Sequence, residues 1–161
     1  MEKSKIEFLK TIVSDGVKYY IDPIREKPVM ATPEERVRQI VLEYIITDLK
    51  VPVEMVVVEG RLSYYGINTD DRADIIIEAV SPDDNMRVPI AVIECKAPEI
   101  TLGDEAHTQM VGYADRLNTM YCMLTNGIDQ FSYFYDENSQ KYVEIKGLPC
   151  YEDMGIGSIL T

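Results

Sequence analysis

The chain has 161 residues and a mass of 18.4 kDa, and 46% hydrophobic with 27% charged residues is the composition of one globular domain, not of a disordered tail or a fibre. Sixteen basic against 28 acidic residues leave a net charge of −12, which disfavours nonspecific binding to a phosphate backbone. No apolar run reaches the roughly 18 residues of a membrane helix, and the start MEKSKIEFLK lacks the apolar stretch of a signal peptide, so a cytoplasmic protein without membrane attachment is expected.

Cys95, Cys122 and Cys150 are odd in number, far apart and without a CxxC pair, and His107 is the single histidine. Both a disulfide framework and a zinc site are therefore disfavoured. The charge is uneven: residues 1–38 hold eight Lys/Arg against seven Asp/Glu, and residues 39–161 hold eight against 21. Since exposed charges are screened over about 8 Å, a bound divalent cation and a few nearby bases can dominate a local site.

In chain order, Ile6, Leu9, Ile12 and Val13 recur at helical spacing, which predicts an amphipathic helix over the first fifteen residues, ending near Asp15-Gly16. The two prolines of KYYIDPIREKP predict an irregular connection. Thr32-Pro33-Glu34-Glu35 is a helix start, with Thr32 as N-cap, Pro33 in the first helical position and Glu35 completing a capping box. The helix should run to about Leu49 with Val37, Ile40, Val41, Tyr44 and Ile45 on its apolar face.

Residues 53–59, 73–80 and 88–94 are β-branched runs, with Pro82-Asp83-Asp84-Asn85 as a turn, and predict a three-strand meander. Helical periodicity returns over 104–117, with Ala106, Met110, Tyr113, Ala114 and Leu117 facing a core. Strands are expected at 119–125, 130–135 and 141–146; the last fifteen residues carry no clear pattern. With no repeat or Gly/Ser linker, residues 1–161 read as one domain, an α/β or α+β layer arrangement in the order α-α-β-β-β-α-β-β-β.

Charged residues inside apolar strands point to chemistry, because burying a charge costs several kcal/mol unless a metal or partner compensates it. Asp74 opens the apolar stretch Ile75-Ile76-Ile77, and Glu94 and Lys96 end another. Strand alternation places Glu94 and Lys96 on one face and Cys95 on the other. Two carboxylates and the Cys95 main-chain carbonyl are hard oxygen ligands suited to Mg2+ or Mn2+. An adjacent ammonium suits orienting or deprotonating a water that attacks a phosphodiester. A salt bridge at a strand end is the plain alternative.

Several stretches in order carry a resemblance: KYYIDPIREKP, Thr32-Pro33-Glu34-Glu35-Arg36-Val37-Arg38-Gln39, Arg72-Ala73-Asp74, Ile93-Glu94-Cys95-Lys96-Ala97-Pro98, Gln109-x-x-x-Tyr113 and Leu124-Thr125-Asn126-Gly127. The series resembles the PD-(D/E)XK nuclease superfamily, and more closely the N-terminal nuclease domain of type I restriction enzyme R subunits, over roughly residues 18–135. The resemblance implies a restriction-endonuclease-like core, a central mixed β-sheet flanked by helices. It implies that Asp74 and Glu94 bind the metal, that Lys96 acts on the attacking water, and that Gln109 and Tyr113 bond the site or the substrate backbone. Many members add an acid from the first core helix. Glu34 is the preferred candidate because it shares a face with Val37 and Val41, and Glu35 is the competitor. Ala73 stands where the pattern usually has proline.

Other residues carry weaker cases. Arg36 and Arg38 are candidate DNA phosphate contacts, or simply a solvated helix surface. His107 reads as a surface residue, and Phe131, Tyr133 and Tyr135 as core on one strand face. No GxxxxGK[ST] phosphate loop for a motor occurs, so the chain reads as a stand-alone nuclease or as the N-terminal domain alone, and a stand-alone Mg2+-dependent DNA endonuclease is the preferred expectation, with other restriction subunits or a second copy as candidate partners. The alternative is a non-catalytic module of the same fold that binds nucleic acid or a protein, for which the −12 charge is the main support.

Overall fold

A computed structural model describes residues 6–154, which form two α-helices and two β-sheets in a mixed α/β arrangement. The chain opening corrects the expected first helix. Thr11–Ser14 (β1) is a strand paired antiparallel with Val17–Asp22 (β2), while residues 1–5 lie outside the described residues. Asp15-Gly16 is not a helix end but the two-residue turn of this hairpin, with φ of +50° and +76°, whose twist suits antiparallel strands. Ile12 and Val13 are 41% and 72% exposed, so no buried face rewards their helical spacing. The stretch KYYIDPIREKP, expected to be irregular, supplies most of β2 and the start of a third strand, Lys27–Met30 (β3). Pro28 is tolerated because β3 is an edge of the sheet β1-β2-β3, away from any central ladder.

The first helix, Pro33–Thr47 (α1), starts as its sequence requires: Thr32 is the N-cap, and its hydroxyl accepts the Glu35 N–H at 3.1 Å. The reciprocal half of the capping box is absent, because the Glu35 carboxylate is bonded to Arg25, Arg38 and Gln39 instead. Val37, Val41, Leu42 and Ile45 are buried, whereas Ile40, expected on that face, is exposed.

The main sheet is built from Val56–Arg61 (β4), Arg72–Val80 (β5), Arg87–Cys95 (β6), Tyr121–Thr125 (β7), Gln130–Asp136 (β8) and Lys141–Ile145 (β9), in the order β4-β5-β6-β7-β8-β9. The meander β4-β5-β6 is antiparallel as expected; residues 53–55, assigned to its first strand by sequence, form a 3-10 turn. A second helix, Asp104–Leu117 (α2), crosses over from β6 to β7, which makes that pair parallel. The observed order is thus β-β-β-α-β-β-β-α-β-β-β, the expected one with the opening helix replaced by a small sheet. The closing segment forms a 3-10 turn at Tyr151–Met154, pinned by the Tyr151 hydroxyl on the Glu78 carbonyl at 2.9 Å.

Central strands β5 and β6 are almost continuously buried because helices cover both faces of the sheet. Val37, Val41 and Ile45 of α1 pack with Ile75, Ile77, Ile93, Cys95 and Met123. Met110, Tyr113, Ala114 and Leu117 of α2 pack with Ile76, Val92, Cys122 and Leu124. His107, expected on the surface, is half-buried with its ring edge-on to Phe131 at 4.8 Å. No helix among the described residues is long and apolar enough to cross a membrane.

Candidate active site

The register of β5 and β6 opposes Ile75 to Ile93, so Asp74 and Glu94 come next along their strands and meet at one end of the sheet. They interlock through the backbone. Glu94 Oε1 accepts the Asp74 N–H at 3.0 Å, and Asp74 Oδ2 accepts the Cys95 N–H at 2.7 Å. Glu94 is only 4% exposed, and its carboxyl is pushed well above the usual range, first by burial and then by the Asp74 charge, with the Lys96 ammonium pulling the other way.

Beyond the strand end, the Lys96 N–H bonds the Thr125 carbonyl at 2.9 Å, which extends the parallel pairing by one residue. Its Nζ donates to Gln109 Oε1 at 3.0 Å, and Gln109 Nε2 donates to the Tyr113 hydroxyl at 3.2 Å. Gln109 and Tyr113 are thus one turn apart on α2, as the spacing implies, and form a chain that ends on the ammonium. The loop between β6 and α2 is held by Asn126, whose Nδ2 donates to the Ile100 carbonyl at 2.9 Å. Gly127, at φ +86°, closes the next turn so tightly that a Cβ there would come within 3.2 Å of Val37. This places the Lys96–Gln109 pair at the carboxyl ends of β6 and β7, where open α/β sheets present their ligand crevices.

The opposite side of Asp74 belongs to α1. Arg38 Nη2 is 2.7 Å from Asp74 Oδ1, and its Nη1 pairs with the Glu35 carboxylate. Glu35 also meets the Arg25 guanidinium, whose Nε is 2.7 Å from Asp22 Oδ2. Gln39 Nε2 joins Asp22 and Glu35 at 3.0 and 3.1 Å. A buried chain of alternating charge therefore runs from the turn after β2 through α1 to Asp74. Burial opposes ionisation of Asp22, but the Arg25 and Ile24 bonds hold its carboxyl below the usual range.

This arrangement corrects the reading of Arg38 as a free phosphate contact. It is 6% exposed and engaged with carboxylates, whereas Arg36 remains on the exposed surface of α1. Asp22, Arg25, Gln39 and the anchoring role of Arg38 escaped the sequence reading. A pattern for the helix part was present: Glu35, Arg38 and Gln39 lie at i, i+3 and i+4, and Arg38 and Gln39 lead directly onto the face of Val41 and Leu42. Glu34 is half exposed, 3.6 Å from Arg38 Nη2. Its carboxyl is raised by partial burial and by Asp74 and lowered by Arg38 and Lys96, so it lies within the field of the site. Glu35 is instead the hub of the buried chain.

No group of three or more His, Cys, Asp or Glu side chains among the described residues is arranged to hold a metal. Mg2+ and Mn2+ do not require one, since they bind through one or two carboxylates and complete their shell with water and substrate oxygens. Asp74 and Glu94 provide one half-buried and one buried carboxylate whose mutual repulsion a cation relieves, so the residues fit. A cavity of about 560 Å3 lies elsewhere, lined by Val88, Leu117, Asn118, Tyr135 and Tyr142 among others, and none of these residues borders on it.

The family model described as "Type I restriction enzyme R protein N terminus (HSDR_N)" matches residues 33–149. Searches of curated proteins and of solved structures found no match. The matched span holds α1 and the whole main sheet, with Glu34, Arg38, Asp74, Glu94, Lys96 and Gln109; Asp22 and Arg25 precede it.

Proposed function

Because the chain belongs to the family of type I restriction enzyme R protein N termini, we propose that it is a Mg2+- or Mn2+-dependent DNA endonuclease domain with a PD-(D/E)XK core formed by α1, β4–β6, α2 and β7. The single observation that carries this reading is the interlocked Asp74–Glu94 pair, with Lys96 two residues beyond Glu94 and its ammonium held by Gln109. Asp74, Glu94 and the Cys95 carbonyl are the ligands. When bound, the cation supplies charge neutralisation at the scissile phosphate and acidifies the attacking water.

The protein groups do the rest. Lys96 is a donor and cannot be a ligand, so its role is to orient the water or to stabilise the phosphate oxygen that gains charge. Gln109 holds the ammonium by accepting one of its hydrogens, and Tyr113 fixes the amide of Gln109. Glu34, half exposed in the field of Asp74, is the helix acid that joins the site when substrate and metal are present. DNA is the substrate, approached at a locally compensated site despite the acidic surface, and Arg36 is an exposed phosphate contact. Other restriction subunits or a second copy are the protein partners.

Nicking of supercoiled plasmid with Mg2+, Mn2+ or EDTA tests the reading. Metal-dependent nicking lost in Asp74→Asn is the expected result. A folded protein that binds Mn2+ through Asp74 and never nicks would instead favour a non-catalytic module of the same fold.

A further inference from the structure

Both carboxylate oxygens of Asp74 are engaged. Oδ2 takes the Cys95 N–H at 2.7 Å, and Oδ1 takes Arg38 Nη2 at 2.7 Å. A cation that uses Asp74 therefore meets a guanidinium already in position. We propose that Arg38 is the placeholder cation of this site: a positioning residue that holds the Asp74 carboxylate when no divalent cation is bound and gives way when one is. The proposal rests on the metal reading of Asp74 and Glu94 given above.

Three features of Arg38 fit that role better than a static salt bridge. Its Nη1 is anchored on Glu35, itself held by Arg25 and Gln39, so the guanidinium keeps a pivot when its other edge leaves Asp74. Two further carboxylates stand just outside bonding distance, Glu34 Oε1 at 3.6 Å from Nη2 and Glu59 Oε1 at 3.7 Å from Nη1. They are acceptors for a small rotation. Finally, the Arg38 Nε–H is buried without a hydrogen-bond partner among the described residues, so its present position leaves one donor unsatisfied, an expense a fully optimised structural ion pair avoids. Glu34, Glu35 and Glu59 together give Arg38 somewhere to stay inside the fold when its bond to Asp74 is released.

The two cations compete for one carboxylate, so the coupling is reciprocal. Calorimetry of Mn2+ binding to the full chain separates the possibilities. Arg38→Gln should bind Mn2+ about fivefold or more tightly than wild type, the low end of usual coupling strengths. Arg38→Lys, which keeps the competing charge, should stay within about twofold. Arg25→Gln changes net charge by the same amount without touching Asp74, and it too should stay within about twofold; equal tightening by both glutamine variants would indicate a general field and overturn the proposal. Unchanged or weaker Mn2+ binding in folded Arg38→Gln would overturn it while leaving the metal reading intact. If neither wild type nor Arg38→Gln binds Mn2+, the metal reading fails and the proposal with it. Should Arg38→Gln not fold, the wild-type protein decides: the side-chain 15N resonance of Arg38 should move during Mg2+ titration with the calorimetric midpoint, and a resonance that stays fixed at saturation overturns the proposal.

Discussion

The two helices that sandwich the main sheet approach the same site in opposite ways. Helix α1 buries Glu35, Arg38 and Gln39 beside its apolar residues, so its inner face is both core and ionic scaffold. Helix α2 buries only Met110, Tyr113, Ala114 and Leu117, and offers Gln109 from its exposed surface. One helix therefore fixes a carboxylate from below by charge, and the other steadies an ammonium from outside by neutral hydrogen bonds. A buried charge moves only where another partner waits to receive it, because every unpaired group is expensive, while an exposed amide can move at little cost. The contrast suits the roles proposed for the two groups, Asp74 as a metal ligand that keeps its place and Lys96 as a donor that follows a substrate.

The largest expected effect breaks the α1 side. Glu35→Ala leaves Arg25 and Arg38 facing each other across the vacated carboxylate position and should destabilise the protein by about 3–5 kcal/mol in urea unfolding. A loss near 1 kcal/mol, the size of a missing cap, would mean that the buried chain contributes little. Lys96→Ala breaks the α2 side with the opposite signature. Nicking should fall by about 100-fold or more, with Mn2+ affinity and thermal stability close to wild type. A folded Lys96→Ala that still cuts would remove Lys96 from the mechanism.

The pH dependence sharpens the same comparison, because Glu94 sits between the two sides. Burial and the neighbouring Asp74 charge push its carboxyl well above the usual range, so as pH rises beyond the ordinary glutamate range the folded state still holds a proton that the unfolded state has released. Stability of the metal-free protein should fall as pH rises across that window and level off above it. Chemical unfolding at several pH values should show this slope in wild type and a much flatter one in Glu94→Gln. Mn2+ affinity should rise with pH over the same interval. Smaller effects remain: Thr32→Ala should lower stability by about 1 kcal/mol through the lost N-cap. Gln109→Ala, at an exposed site, should change stability by less than about 0.5 kcal/mol while reducing nicking, and a stability loss as large as that of Glu35→Ala would erase the distinction between the helices.

Where local chemistry was decisive, the sequence was enough. Thr32-Pro33 set the start of α1, the 3.6-residue periodicity delimited α2, and the β-branched runs marked β5 and β6, because caps, apolar faces and χ1 stiffness act within a few residues. Asp74, Glu94, Lys96, Gln109 and Tyr113 were legible as polar residues where burial disfavours them or at helical spacing, and hydrogen bonds join Asp74 to Glu94 and, separately, Lys96 to Gln109 and Gln109 to Tyr113. The opening hairpin is not legible in the sequence because Asp15-Gly16 serves equally as helix end and as hairpin turn. Only pairing between β1, β2 and β3 distinguishes the two. Pairing decided the rest as well. Glu35 is a capping-box residue by spacing, yet its carboxylate turned to Arg25, ten residues earlier, and Arg38 reached Asp74, 36 residues later. Two guanidiniums buried beside a carboxylate outweigh one backbone N–H as partners, and a chain folded in three dimensions can bring them there while a window of a few residues cannot. The sequence thus determined the elements from α1 onward and the candidate site residues; tertiary structure alone decided which charges meet, because electrostatic energy depends on distance through space and not along the chain.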